Sequence, residues 1–258
     1  MEENSNKGRK ENRTKDIKVA WNINKGELIS LVGMGGKTTA LFTLGERLKE
    51  DGSVLLSTTT KLGYPLRECE NLHFYGSSSQ FFDAQTTSLP NLGIGKGDVF
   101  FVAGEVTSKK IVGLEKEELD RLIPYFDYTI LEADGSRKYM LKAWREYEPV
   151  IHPKTTMTIG ILSVDAMGKR VDESLVMNFP LFLRHYGKRD RVDGPLIEAM
   201  VQSPQGMFQY AKGKKKLFIN GCEREDQLET AHQLSEYLKE RLDVEVLYGS
   251  LKEGMYVY

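Results

Sequence analysis

Cysteine is scarce in this chain of 258 residues: only Cys69 and Cys222 occur. Two thiols exclude a disulfide framework and a cysteine-rich zinc or iron–sulfur centre. His73, His185 and His232 share no metal-ligand spacing, which argues against a histidine zinc site. An excess of one charge is missing as well. Lys and Arg number 36 against 37 Asp and Glu, leaving −1 at pH 7. The chain as a whole therefore draws neither nucleic acid nor a cationic partner. No apolar run reaches the ~18 residues that span a bilayer, so no membrane partner is expected. Met1–Asp16 holds no apolar residue after Met1 and so no signal-peptide stretch. The expectation there is a disordered, solvated N-terminal tail over residues 1–16 on a cytoplasmic protein.

What is present is 40% hydrophobic and 28% charged residues, a balance suited to a buried core and a polar surface. Glycine, at 24 residues, is in mild excess, and its placement matters more than its number. Short apolar runs alternate with amphipathic helical segments. Strands are expected at 27–32, 54–57, 99–103, 128–131, 156–164, 217–220 and 244–247. Helices are expected at 38–50, 116–122, 195–200 and 226–242. Runs without polar alternation suit parallel strands covered on both faces. The fold expected is α/β: a doubly wound, mainly parallel sheet in three layers, P-loop NTPase-like, as one domain over residues 17–258. Residues 76–97 read as a long surface connection with about one helical turn. Residues 212–216 read as a solvated basic loop entering a strand. In such a sheet ligands lie at the carboxyl ends of the strands.

After the first long strand comes Gly33-Met34-Gly35-Gly36-Lys37-Thr38-Thr39 and then a helix. Glycine backbone can approach phosphate oxygens and aim several N–H groups at them, and the helix dipole adds to the attraction. Gly33, Gly35, Gly36, Lys37, Thr38 and Thr39 are therefore candidate nucleotide-binding residues. Lys37 would reach the outer phosphates, and the Thr38 hydroxyl would ligate Mg²⁺. The spacing departs from G-x-x-x-x-G-K-[ST], because Leu31 stands where that motif has its first glycine. The shorter G-x-G-G-K-T-T is similar to the loop of the Mur ligases.

Other strand ends carry further candidates. Thr58-Thr59-Thr60-Lys61 offers hydroxyls to orient water, Mg²⁺ or a phosphate, and Lys61 as an anion ligand. The competing reading is simple β-propensity. Glu132-Ala133-Asp134-Gly135-Ser136-Arg137 resembles a Walker B element, with Glu132 and Asp134 of like parity along an extended strand. One carboxylate could serve the metal and the other position water. Ser136, Arg137 and Lys142 are candidates for an anionic substrate. His152, between apolar and proline residues, is either packed or a site residue. Asn220 begins Asn-Gly-Cys-Glu where GTP-binding proteins carry Asn-Lys-x-Asp, so it either touches a base or forms an ordinary turn.

Together the stretches V-G-M-G-G-K-T-T (32–39), T-T-T-K (58–61), L-E-A-D-G-S-R with L-K-A (131–143), E-P-V-I-H-P (148–153) and D-A-M-G-K (165–169) resemble the YqeC family. These are described as accessory proteins of selenium-dependent molybdenum hydroxylases. The resemblance covers roughly residues 27–247. Two stretches depart from it: His152 stands inside the family's E-P-V-I-P, and Asn-Gly-Cys-Glu replaces an Asn-Lys-x-Asp-like stretch. The resemblance implies a cytoplasmic P-loop-type protein linked to maturation of those hydroxylases, with no assigned reaction.

The leading expectation is an Mg²⁺-dependent ATPase, GTPase or phosphotransferase. Lys37, Glu132 and Asp134 would be its catalytic groups, and Thr38, Glu132 and Asp134 its metal shell. Thr59, Thr60, Lys61, Ser136, Arg137, Lys142 and His152 would bind substrate. The alternative is a nucleotide-gated carrier or chaperone for a client hydroxylase or its cofactor, with 76–97 as a lid. A Mur-like ligase ranks last, because 258 residues leave little room for additional domains.

Overall fold

The computed structural model describes residues 12–63, 72–87 and 94–258. Cys69 and part of the 76–97 connection lie outside the described residues, as do residues 1–11 of the expected tail. In chain order the strands are β1 (Arg13–Thr14), β2 (Leu28–Gly33), β3 (Val54–Thr58), β4 (Lys61–Gly63), β5 (Leu72–Tyr75), β6 (Val99–Val102), β7 (Glu105–Val106), β8 (Lys110–Val112), β9 (Tyr128–Glu132), β10 (Leu141–Lys142), β11 (Met157–Ser163), β12 (Val176–Met177), β13 (Lys214–Asn220), β14 (Glu245–Ser250) and β15 (Met255–Val257). The helices are α1 (Ile17–Ala20), α2 (Lys37–Leu48), α3 (Ser78–Thr87), α4 (Lys116–Leu122), α5 (Phe179–Tyr186), α6 (Gly194–Gln202) and α7 (Glu225–Lys239).

One sheet of ten strands runs β1-β15-β14-β13-β11-β2-β9-β3-β6-β5. From β14 to β5 every pairing is parallel, and β15 closes one side antiparallel. From β2 the chain fills one side of the sheet through β3, the edge strand β5, β6 and back to β9 beside β2. It then builds the other side outward through β11, β13 and β14, which is the doubly wound arrangement expected. Side-chain parity gives the layers. Ile29 and Leu31 of β2, Leu56 of β3 and Ile130 of β9 pack with Leu41, Leu44 and Leu48 of α2 on one face. Leu28, Leu55 and Leu131 point the other way, against Phe81 of α3 and Leu119 and Leu122 of α4. On that second face Leu217, Ile219 and Val246 meet Leu196, Ile197, Leu234 and Leu238 of α6 and α7. The result is three layers, helix–sheet–helix.

Three local expectations are corrected. The connection at 76–97 carries a ten-residue helix, α3, because fully buried Phe81 anchors it among Tyr75, Phe100 and Phe126. The basic run at 212–216 is mostly strand. Lys214 pairs with Glu27 at 3.1 Å, and buried Lys216 pairs with Glu245 of the neighbouring strand. Of the expected tail, Arg13 and Thr14 pair with Val257 and Tyr256, while Asp16 caps α1 and binds Arg47 at 2.7 Å.

Candidate functional site

The glycine loop joins the carboxyl end of β2 to α2. All three of its glycines have positive φ: 98° at Gly33, 105° at Gly35 and 127° at Gly36. A Cβ at Gly33 would lie 2.3 Å from the Ile161 carbonyl oxygen, and one at Gly35 would lie 2.5 Å from the Ser163 amide nitrogen. The loop is thus pressed onto the backbone end of β11. Gly36 caps α2 without a side-chain hydrogen bond, so the first N–H groups of the helix remain available to a ligand.

Lys37 folds back over the loop. Its buried ammonium donates to the Gly33 carbonyl at 2.6 Å and to Ser136 Oγ at 3.4 Å. It lies 3.3 Å from Asp134 and 3.9 Å from Glu132. Exposed Thr38 donates its hydroxyl to Glu132 Oε2 at 2.8 Å. Strand β9 lies beside β2, which is why a carboxylate at its end meets the first turn of α2. Burial pushes the Glu132 carboxyl above its ordinary 4.5. The Lys37 charge and the Thr38 hydrogen bond oppose that rise, and Asp134 adds to it.

The two carboxylates are not equivalent. Asp134 is completely buried, and its oxygens accept the Gly33 N–H at 3.1 Å and the Trp144 indole N–H at 2.7 Å. Wholly buried Lys142 lies 3.5 Å away. Asp134 therefore clamps the start of the loop. Glu132 faces a hydroxyl and an ammonium at the helix start. A hard cation there would find one hydroxyl and one carboxylate from the protein, a donor set that suits Mg²⁺ completed by phosphate oxygens and water. Among the described residues no cluster of three His, Cys, Asp or Glu side chains could hold a metal unaided.

Several expected ligands take other duties. Lys142 is a correction: it is wholly buried, donates to the Gly135 carbonyl at 2.8 Å and pairs with Glu148 at 3.4 Å, so it presents no charge to a substrate. Asn220 is oriented by the loop itself. Its amide donates to the Gly35 carbonyl at 2.7 Å and accepts the Leu251 N–H at 3.0 Å. Thr59 gives its hydroxyl to the Val150 carbonyl at 2.7 Å, and the Thr60 N–H binds the Thr58 hydroxyl at 3.0 Å. Thr59 thus ties the end of β3 to the segment around Val150, and Thr60 closes a local turn onto Thr58. Lys61 is exposed on β4, in the small sheet with β8 and β7. His152 is packed: its Nε2 lies 3.7 Å from Asp120, and burial pushes it below its ordinary 6.5. Ser136 touches Lys37, while Arg137 is exposed just beyond it. Trp144 and Glu148 were not legible as site residues. The signals were a tryptophan two residues after Lys142 and the place of Glu148 at the start of the E-P-V-I-H-P stretch.

A glycine loop between a central parallel strand and a helix, with a Lys-Thr pair facing a carboxylate from the adjacent strand, marks a doubly wound α/β protein whose candidate site lies at the carboxyl end of the sheet. More narrowly, the chain belongs to the YqeC family: that family's model, described as YqeC protein, matches residues 29–180. A curated relative, "Uncharacterized protein YqeC" of Escherichia coli (strain K12), is 31% identical over 237 residues and 88% of each chain. A solved structure, a GTPase from Pyrococcus abyssi in its apo form, aligns with 14% identity and a TM-score of 0.38. The alignment covers 88% of this chain and 92% of that one. No helix among the described residues is long and apolar enough to cross a membrane.

The Glu132 environment carries a testable consequence. A carboxyl held above its unfolded value binds its proton more tightly in the fold. The ionised form therefore costs stability as pH rises from 4.5 through the raised value. Glu132→Gln should melt at or above the wild-type temperature at pH 7, and the gap should close as pH falls toward 4.5. Thermal denaturation across that range checks the sign, and a variant that melts lower at pH 7 would contradict it.

Proposed function

We propose that the chain binds Mg²⁺ with ATP or GTP in the glycine loop. On this reading it serves the maturation of selenium-dependent molybdenum hydroxylases as a cytoplasmic NTPase or phosphotransferase. The observation that carries the reading is the 2.8 Å contact between Thr38 and Glu132 beside the Lys37 ammonium. Loop N–H groups and the helix start would hold the phosphates. Lys37 would exchange its Gly33 contact for a phosphate oxygen, an exchange of one acceptor for a more negative one. Thr38 and Glu132 would hold the metal, which when bound screens phosphate charge and polarises the transferred group. Asp134 is assigned a positioning role through Gly33. The Mur-like character of the loop and the hydroxylase client rest on family resemblance.

Calorimetric titration with ATP and GTP, with and without Mg²⁺, tests the reading. Wild type should bind one of them in a Mg²⁺-dependent manner, and Lys37→Ala should weaken that by at least 100-fold, about 2.7 kcal/mol. Equal binding by the variant would sink the proposal. Phosphate release with and without a client separates an enzyme from a nucleotide-gated carrier.

A further inference from the structure

Beyond the loop, the same carboxyl edge carries a basic ribbon that the nucleotide reading does not use. Segments 168–171 and 190–192 pair antiparallel after β11. Gly168 N–H donates to the Val192 carbonyl at 2.8 Å, Val192 N–H to the Lys169 carbonyl at 2.9 Å and Val171 N–H to the Asp190 carbonyl at 3.0 Å. Residues 168–171 and 188–192 include Lys169, Arg170, Lys188, Arg189 and Arg191 against one acid, Asp190. Lys169, Arg170, Lys188 and Arg191 are exposed, and none of the five cations has a carboxylate within ion-pair distance among the described residues. Arg191 is pre-oriented by donating to the Gly168 carbonyl at 2.8 Å. The nearby Asp172 directs its oxygen to Ser174 and Leu175 and also feels the charge of Arg170 from beyond ion-pair distance, and Asp193 caps α6.

This ribbon is tied to the phosphate loop. Lys169 Nζ lies 3.1 Å from Met140 Sδ. Met140 is four residues beyond Ser136, whose hydroxyl meets Lys37, so the two stand at most about 14 Å apart along the chain. Between them Arg137 and Lys138 are exposed and both left-handed, with φ of 47° and 67°. Long side chains at two such positions in succession, where glycine fits without strain, mark a place where the side chains are needed.

We propose that Arg137, Lys138, Lys169, Arg170 and Arg191 form a second anion site, which takes a phosphate- or pyrophosphate-bearing co-substrate beside the nucleotide. Guanidinium groups match phosphate oxygens in a two-pronged fork, and cations with no carboxylate at ion-pair distance supply the charge. The co-substrate role rests on the nucleotide reading, whereas the anion site does not.

The test titrates the full chain with inorganic pyrophosphate and separately with Mg·ATP, comparing wild type with the exposed double variant Lys169→Gln/Arg170→Gln. Wild type should show a pyrophosphate site that persists when Mg·ATP is saturating, and the variant should bind there at least tenfold more weakly with Mg·ATP affinity unchanged. Equal pyrophosphate binding by the variant overturns the proposal. So does displacement by a hexaglutamate peptide as effective as by pyrophosphate, which would mark a general field and not a phosphate site. Variant-sensitive pyrophosphate binding without any nucleotide binding would support the anion site and remove the nucleotide reading.

Discussion

Asp134→Ala should destabilise the protein by about 3–5 kcal/mol, the cost typical of removing one partner from a buried ion pair. For a chain of this size that lowers the melting temperature by roughly 6–20 °C. The effect is large because several groups depend on one carboxylate. Lys37 and Lys142 are both buried and both approach it, at 3.3 and 3.5 Å. The Gly33 amide and the Trp144 indole donate to it at 3.1 and 2.7 Å. Alanine leaves two buried ammonium groups short of a counter-charge and two buried donors without an acceptor. Lys142 retains Glu148, and Lys37 retains Glu132, which keeps the loss within that range. Thermal denaturation of the purified variant checks it, and a fall of less than 2 °C would remove Asp134 from its place as the clamp of the loop.

Gly35→Ala should cost about 2–5 kcal/mol and weaken Mg·nucleotide binding by more than tenfold. Two causes add. Left-handed backbone penalises any Cβ by about 1–2 kcal/mol, and overpacking against fixed atoms costs about 1–3 kcal/mol. The atoms are fixed here: a new Cβ would stand 2.5 Å from the Ser163 amide nitrogen and 2.7 Å from its Cβ, at the end of a central strand. Gly97→Ala is the matched control. Its φ of 101° is close to the 105° of Gly35, yet a methyl added there would meet no atom within 4 Å. Gly97→Ala should therefore show only the backbone penalty. Chemical denaturation of both variants isolates the contact term, and equal losses would show that the loop is not wedged against β11.

Much of this architecture was legible because its signals are local. Unbroken apolar runs such as Val99–Ala103 and Val54–Leu56 mark buried strands, and the three- and four-residue spacing of Leu41, Leu44 and Leu48 marks a helix face. The short strands β4, β7, β8, β10 and β12 were not legible. Each is two or three residues long and carries too few side chains to show a period. Helix α3 was missed for a different reason: its polar sequence has little amphipathic pattern, and the burial of Phe81 among aromatic rings from other elements fixes it.

The candidate site divides along the same line. The sequence by itself determined the glycine loop, the Lys37-Thr38 pair at a helix start and the carboxylates at a strand end. These follow from neighbours within a few positions, where backbone sterics and hydrogen-bonding rules act. Only the tertiary structure decided what each group does. Glu132 meets Thr38 across 94 positions of chain and Asp134 meets Gly33 across 101. Lys142, read as a candidate ligand for an anionic substrate, becomes the buried counter-charge of Asp134. A lysine looks the same in sequence whether its ammonium faces water or a carboxylate, because desolvation and pairing are properties of what the fold packs around it.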